Sequence, residues 1–151
     1  MRVARFSVPG ADPRFGIVDT NDDGVDEVVV LRGDPIAASI DGGGYETTGE
    51  RIPLADVKLL APVIPRSKVV CIGMNYAEHR AELGHVGNEA PLMFLKPNTS
   101  IVGPGDAIQI PPVEGRIVHE GELAIVIGKV AKQVKAENWR DVVFGFTIAN
   151  D

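Results

Sequence analysis

The stretch that most constrains the fold reads His119-Glu120-Gly121-Glu122-Leu123-Ala124-Ile125-Val126-Ile127-Gly128. Its apolar run predicts a long strand over residues 117–127 that enters a core. Neighbouring side chains on a strand point to opposite faces, so Glu120 and Glu122 are expected to share one face. The sequence therefore predicts two carboxylates side by side where this strand begins.

Two carboxylates on one face repel each other. Without a cation, one of them would take up a proton or retreat into water. A hard divalent cation such as Mg²⁺, Mn²⁺ or Ca²⁺ removes the conflict, because carboxylate oxygens are its preferred ligands. Acids at an exposed strand end are the alternative that the spacing leaves open. His119-Glu120 does not continue into the His-Glu-x-x-His pattern, so a zinc protease is not indicated.

A second group of polar residues follows an apolar strand predicted at residues 68–73. Residues 75–83 are predicted to be helical, with Gly84 closing the helix. His79 and Glu82 lie three positions apart on this helix, so the carboxylate can orient the imidazole and raise its basicity. Such a pair suits a general base that activates water. An ordinary solvated helix is the alternative.

Composition limits the classes of protein to consider. The 151 residues are 44% hydrophobic, and 15 basic against 21 acidic residues give a net charge of −6. There is no basic cluster with interleaved aromatics, which argues against nucleic acid as a partner. No apolar run approaches the roughly 18 residues of a membrane span, and the N-terminus lacks the apolar core of a secretion signal. We therefore expect a soluble cytoplasmic protein in which Cys71 is a buried strand thiol.

The pattern of strands and turns predicts two domains, a small β-rich domain at residues 1–60 and a second domain at residues 61–151. Small polar residues at 21–24 indicate a hairpin turn in the first domain. Prolines between residues 53 and 65 mark an extended connection. The predicted strands cover residues 2–8, 15–19 and 27–31, then 91–95 and 144–151, with a short helix at 136–143.

Six short motifs follow one another between residues 73 and 151. They are Gly73-Met74-Asn75-Tyr76, His79 with Glu82, Phe94-Leu95-Lys96-Pro97, Gly103-Pro104, Glu120-Gly121-Glu122-Leu123 and Asn150-Asp151. In this order they resemble the fumarylacetoacetate hydrolase family, and within it bacterial members similar to 2-hydroxyhepta-2,4-diene-1,7-dioate isomerase. The resemblance implies a β-rich α+β fold, a mixed β-roll or barrel preceded by a small N-terminal β domain, and a homodimer.

The resemblance also implies roles for individual side chains. Glu120, Glu122 and Asp151 become the ligands of a divalent metal, Mg²⁺ or else Mn²⁺ or Ca²⁺. His79 with Glu82 becomes the water-activating pair. For three acids to meet one cation, the two strands that carry them must run side by side, and we expect them to pair.

Substrate-binding roles fall to Asn75, Tyr76 and Lys96 by the same resemblance. Met74 replaces the Arg or Lys of some members, and this departure leaves the substrate open. The implied activity is that of a metal-dependent enzyme acting on small 2-oxo acids or acylpyruvates through a metal-stabilised enolate. Hydrolysis of a C–C bond, isomerisation and decarboxylation all fit that chemistry, and the expected context is the catabolism of aromatic compounds. A metal-binding domain without catalysis, or an inactive fragment, is the alternative.

The family pattern continues beyond the last residue of this sequence. Asp151 falls in the middle of a predicted strand, and the family usually has a further catalytic lysine downstream. We therefore expect residues 1–151 to be the N-terminal part of a longer enzyme and to have little activity alone.

Overall fold

The computed structural model describes residues 1–40, 42–82, 84 and 90–151. The strands in this part of the chain are β1 (Arg2–Ser7), β2 (Arg14–Thr20), β3 (Asp26–Leu31), β4 (Thr47–Pro53), β5 (Lys58–Leu60), β6 (Lys68–Gly73), β7 (Leu92–Pro97), β8 (Gly121–Ile127) and β9 (Val143–Asn150). The helices are α1 (Pro35–Ile40) and α2 (Ala77–Glu82), with short 3₁₀ segments at Leu54–Asp56, Asn98–Ser100 and Ala136–Asp141. The chain forms two units, one of Met1–Val63 with Gly103–Asp151 and one of Ile64–Val102.

The N-terminal strands form an antiparallel sheet in the order β4-β3-β2-β1-β5. The turn between β2 and β3 is organised by Asn21, whose Oδ1 accepts hydrogen bonds from the N–H groups of Asp23 at 3.1 Å and Val25 at 3.0 Å. Gly24 follows at a φ of 78°, which glycine adopts without steric cost. The predicted strands β1 to β3 and their hairpin turn are confirmed.

One face of this sheet carries the core of the first unit. Phe6 and Val28 are fully buried, and Val30 is nearly so. Gly16 on β2 is part of this packing, because a Cβ there would overlap Val28 and lie 2.9 Å from the carbonyl oxygen of Val29. Close packing of β2 on β3 therefore requires glycine at position 16.

Ion pairs join strands of the same sheet, either neighbouring strands or strands with one other between them. Arg51 on β4 contacts Asp19 at 2.9 Å and Glu27 at 2.7 Å. Arg2 on β1 binds both carboxylate oxygens of Asp26 at 2.9 and 3.0 Å. Hydrogen bonds from Arg2 and from the Thr20 hydroxyl lower the pKa of Asp26 to about 2. The arginines and Asp19 are exposed, and Asp26 and Glu27 are half-buried, so each pair adds only modest stability.

Three elements, β4, β5 and α1, were not predicted from the sequence pattern. The sequence of β4, Thr-Thr-Gly-Glu-Arg-Ile-Pro, is largely polar, and β5 has three residues. Both strands depend on pairing with a distant partner, β4 with β3 and β5 with β1. The first turn of α1 is capped by Asp34, whose Oδ1 accepts the N–H of Ile36 at 2.8 Å.

The second unit is built on the antiparallel pair β6 and β7, which runs from Lys68↔Pro97 to Gly73↔Leu92. Cys71 on β6 is half-buried, so the prediction of a buried thiol is wrong. Within the described residues β6 has one neighbouring strand, which covers the thiol only in part. Helix α2 confirms the predicted helix from its third residue, and Leu83 at the predicted end lies outside the described residues.

The remaining strands, β8 and β9, pair antiparallel from Gly121↔Asn150 to Ile127↔Val143. The expected pairing of the two acid-bearing strands is therefore confirmed. Residues 117–120 were predicted to belong to β8 but lie outside it, and the segment predicted as a helix at 136–143 is 3₁₀ over Ala136–Asp141. No helix in the described ranges is long and apolar enough to cross a bilayer.

Candidate active site

The register of β8 and β9 brings the three predicted metal ligands to one face. One step beyond the Gly121↔Asn150 pair, the N–H of Asp151 donates to the carbonyl of Glu120 at 2.8 Å, so these two residues lie opposite each other. Directly opposite residues of an antiparallel pair share a face, and so do residues two apart on a strand. Glu120, Glu122 and Asp151 therefore share one face.

The donor set on this face suits a hard divalent cation in its chemistry. Three carboxylates supply oxygen ligands and enough negative charge for Mg²⁺ or Mn²⁺. Glu120 and Asp151 are exposed and Glu122 is half-buried, so an ion from solvent can reach them. In the described part of the chain, no three His, Cys, Asp or Glu side chains are close enough together to hold a metal ion. The backbone gives the acids a common face, and their assignment as ligands stays a prediction.

The other face of the same ladder is apolar. Leu123, Ile125 and Ile127 alternate with the face of Glu122, and each is more than half exposed. Leu123 pairs with Ile148, which is 85% exposed. The strands therefore separate an acidic face from an apolar one.

The predicted base lies on helix α2 in the second unit. His79 Nδ1 is 3.7 Å from Glu82 Oε2, across one helical turn. This distance exceeds that of a good hydrogen bond, so the contact orients the ring electrostatically rather than fixing it. The His79 and Glu82 side chains are 49% and 78% exposed. The prediction that these two residues meet is confirmed, while their catalytic role stays a prediction.

A strained backbone position precedes this helix. Met74 follows β6 with a φ of 51°, which is uncommon for a residue other than glycine. The chain then reverses through Asn75 and Tyr76, both exposed, and the N–H of Arg80 donates to the Tyr76 carbonyl at 3.0 Å. Strain of this kind often marks a functional site. The sequence pattern did not predict this strained backbone at Met74.

Lys96 occupies a different part of the second unit from Asn75 and Tyr76. It pairs with Val69 on β6, whereas Asn75 and Tyr76 follow Gly73 at the other end of that strand. Four ladder steps separate the two ends, about 13 Å of strand. Lys96 Nζ lies 5.6 Å from the centre of the Phe94 ring, a cation–π contact that holds the side chain near β7.

Two protein-family models match this chain. Residues 68–151 match the family model described as fumarylacetoacetate (FAA) hydrolase, C-terminal, and residues 1–62 match the one described as Rv2993c-like, N-terminal. The chain belongs to the fumarylacetoacetate hydrolase family. The resemblance and fold class expected from the sequence are thereby confirmed.

Three relatives show the range of this family. The mitochondrial oxaloacetate tautomerase FAHD2A of Bos taurus is 36% identical over 164 residues, covering 100% of this chain and 52% of that protein. The structure of 2-hydroxyhepta-2,4-diene-1,7-dioate isomerase from Mycobacterium marinum superposes with a TM-score of 0.81 at 38% identity, covering 100% of this chain and 54% of the isomerase. Maleylpyruvate hydrolase from Sphingobium sp. SYK-6, in complex with manganese (II) and pyruvate, gives 0.70 at 32% identity, covering 100% and 58%.

The chain spans about half the length of these fumarylacetoacetate hydrolase family relatives. The relatives are enzymes of the tautomerase, isomerase and hydrolase classes, and one of their structures contains a divalent metal. The expectation that the chain belongs to a family of enzymes, some of which bind a divalent metal, is therefore confirmed.

Proposed function

We propose that the chain is part of a divalent-metal-dependent enzyme that acts on small 2-oxo acids by way of an enolate. The observation that carries the proposal is the common face of Glu120, Glu122 and Asp151 on paired strands. Three same-face carboxylates are costly without a counter-charge and suitable for a cation. When bound, a divalent cation would polarise the carboxylate and keto oxygens of a 2-oxo acid and stabilise its enolate.

The substrates of the three relatives support this substrate class. Oxaloacetate is a 2-oxo acid, 2-hydroxyhepta-2,4-diene-1,7-dioate is the enol form of one, and maleylpyruvate contains the same group. Tautomerisation, isomerisation and hydrolysis of such compounds share an enolate and differ in the bond that breaks to form it. A C–H bond breaks in tautomerisation and isomerisation, whereas a C–C bond breaks in hydrolysis after water has attacked the second carbonyl, and in each case the enolate is then protonated. One site can therefore perform any of them, and the site on this chain is proposed to perform one of the three. Loss of CO₂ from the carboxylate β to the keto group, as in oxaloacetate, would leave the same enolate.

In this proposal the residues of the second unit handle protons and orient the substrate. His79 accepts a proton, from water in a hydrolase or from carbon in a tautomerase, and Glu82 stabilises the imidazolium that results. Asn75 and Tyr76 offer polar groups at the end of β6 to the substrate. Lys96 supplies a positive charge for a second carboxylate. Homodimer formation and a cytoplasmic location stay predictions.

Metal titration tests the central step of the proposal. Isothermal titration of a protein that contains this chain with Mn²⁺ is expected to show one site, and Glu120→Ala or Glu122→Ala should abolish it without unfolding the protein. Glu114→Ala is the matched control, because Glu114 is an exposed acid outside β8 and should not affect binding. Unchanged Mn²⁺ affinity in both ligand variants would show that the assignment is wrong.

Turnover tests the substrate class separately. Oxaloacetate and maleylpyruvate are suitable probes, with enol formation followed by ultraviolet absorbance and cleavage followed by release of pyruvate. A protein that contains this chain, binds Mn²⁺ and converts neither probe would be a metal-binding domain without this catalysis.

A further inference from the structure

Asn150 makes a hydrogen bond at the end of the acid-bearing ladder. Its side-chain Oδ1 accepts the main-chain N–H of Glu120 at 2.9 Å. The accepting atom must be the amide oxygen and not the nitrogen, since a main-chain N–H can only donate. The contact joins two residues that are 30 positions apart in the sequence.

This hydrogen bond replaces one of the main-chain hydrogen bonds expected between the two strands. The N–H of Asp151 donates to the carbonyl of Glu120 at 2.8 Å. In a regular antiparallel pair, the N–H of Glu120 would donate in return to the carbonyl of Asp151. The Asn150 side chain accepts that N–H, and the ladder ends at the Gly121↔Asn150 pair. Both polar main-chain groups of Glu120 are thus satisfied by the last two residues of the opposite strand.

We propose that Asn150 is a positioning residue for the metal centre. By accepting the N–H of Glu120, it fixes the Cα from which the Glu120 carboxylate extends, opposite Asp151 and on the face of Glu122. A ligand whose backbone is already ordered loses less entropy when a cation binds. This inference rests on the proposed function, because it assigns Asn150 to the site formed by those three acids.

Asn150 is well placed for this role because it contacts the ligand backbone and is not itself one of the three acids. Groups that hold metal ligands in place are typically worth about 10- to 100-fold in metal affinity. Asn150→Ala removes the acceptor, whereas Asn150→Asp keeps an oxygen in the same place on a side chain of the same length. The two variants therefore separate loss of the hydrogen bond from mere substitution at this position.

The experiment measures the hydrogen bond and the metal affinity separately in a protein that contains this chain. Amide hydrogen exchange at Glu120, followed by NMR without metal, should be about fivefold faster in Asn150→Ala, the value of one ordinary hydrogen bond. Mn²⁺ affinity by isothermal titration should fall about 10- to 100-fold in the same variant. Asn150→Asp should restore both, because a carboxylate accepts this hydrogen bond at least as well as an amide.

Two controls make each outcome decisive. Asn138→Ala removes an exposed asparagine from the 3₁₀ segment and should change neither quantity. If Asn150→Ala does not fold, Asn150→Gln replaces it, because the extra methylene displaces the amide oxygen and the same losses are expected. Equal Mn²⁺ affinity in the unsubstituted chain and these variants overturns the role of Asn150 alone. No Mn²⁺ binding by the unsubstituted protein that contains this chain overturns the proposed function, and the role of Asn150 with it.

Discussion

Removing one of the three carboxylate charges on this face should raise the stability of the metal-free protein and lower the stability of the protein in the presence of metal. Glu122→Gln keeps the size of the side chain and removes its charge. Glu120 lies two residues before it, just ahead of β8, and Asp151 lies diagonally across, just after β9, each at about 7 Å. At that separation two unit charges in water repel by about 0.6 kcal/mol. Without metal, the variant should therefore be more stable by about 1 kcal/mol at low salt.

Bound metal should reverse the order of stability of the unsubstituted chain and Glu122→Gln. A cation at about 100 times its Kd stabilises the protein that binds it by about 2.7 kcal/mol. The unsubstituted chain should gain that amount, and Glu122→Gln, which lacks a charged ligand, should gain little. In about 1 M salt the metal-free difference should disappear, because the screening length falls to about 3 Å. The unsubstituted chain is thus predicted to be less stable than Glu122→Gln without metal and more stable with it.

The single tryptophan provides the assay. Trp139 packs edge-on against Phe146 of β9 with ring centres 6.2 Å apart, so its fluorescence reports on the strand pair that carries the acids. Urea unfolding is followed with and without Mg²⁺, which does not quench tryptophan. Glu114→Gln is the control and should match the unsubstituted chain in both conditions. If Glu122→Gln gains as much stability from Mg²⁺ as the unsubstituted chain, Glu122 is not a ligand and the reasoning fails.

Three further predictions concern the base, the core and the response to acid. His79→Ala should lower turnover by about 10² to 10⁴, the usual contribution of a general base, while leaving Mn²⁺ binding intact; normal turnover would make α2 an ordinary solvated helix. Phe6→Ala should lower the unfolding free energy by about 3–5 kcal/mol because it empties a fully buried site, and a loss below about 1 kcal/mol in urea denaturation would contradict this packing. The pKa of Asp26 is lowered to about 2 from an ordinary 3.8, so its stabilising effect is complete above pH 3.8 and is lost as pH falls towards 2. Asp26→Asn should remove that part of the acid dependence in denaturation curves between pH 5 and 2, and an unchanged dependence would show that the Arg2 pair does not stabilise the fold.

Local patterns predicted the parts of the fold that local chemistry determines. β1 to β3 each contain apolar residues in a short segment bounded by polar or turn residues, and Asn21 and Gly24 fix the turn through contacts within a few residues. β4 could not be predicted this way. It is held by pairing with β3 and by Arg51, whose partners Asp19 and Glu27 are 32 and 24 residues away in sequence. Such a strand becomes visible only when its partner is known.

The candidate site was predicted in its residue types and only in part in its geometry. Alternation along the predicted strand places Glu120 and Glu122 on one face, and the family motif adds Asp151. The register that sets Asp151 opposite Glu120 relates residues about 30 positions apart, and no local signal encodes it. The predicted start of the strand at residue 117 was too early: β8 begins at Gly121, and the N–H of Glu120 donates to the Asn150 side chain rather than to a main-chain carbonyl.

The two faces of the β8 and β9 ladder have opposite requirements, and one backbone must satisfy both. The acidic face calls for a cation, whereas the apolar face exposes Leu123, Ile125, Ile127, Phe146 and Ile148. Burying such side chains is worth about 1.5–3 kcal/mol each, and a two-stranded ladder alone is at most marginally stable. Whatever covers the apolar face therefore also holds the three acids in register. Metal affinity and the stability of the strand pair are thus coupled, and a substitution on the apolar face acts on the metal centre through the backbone that both faces share.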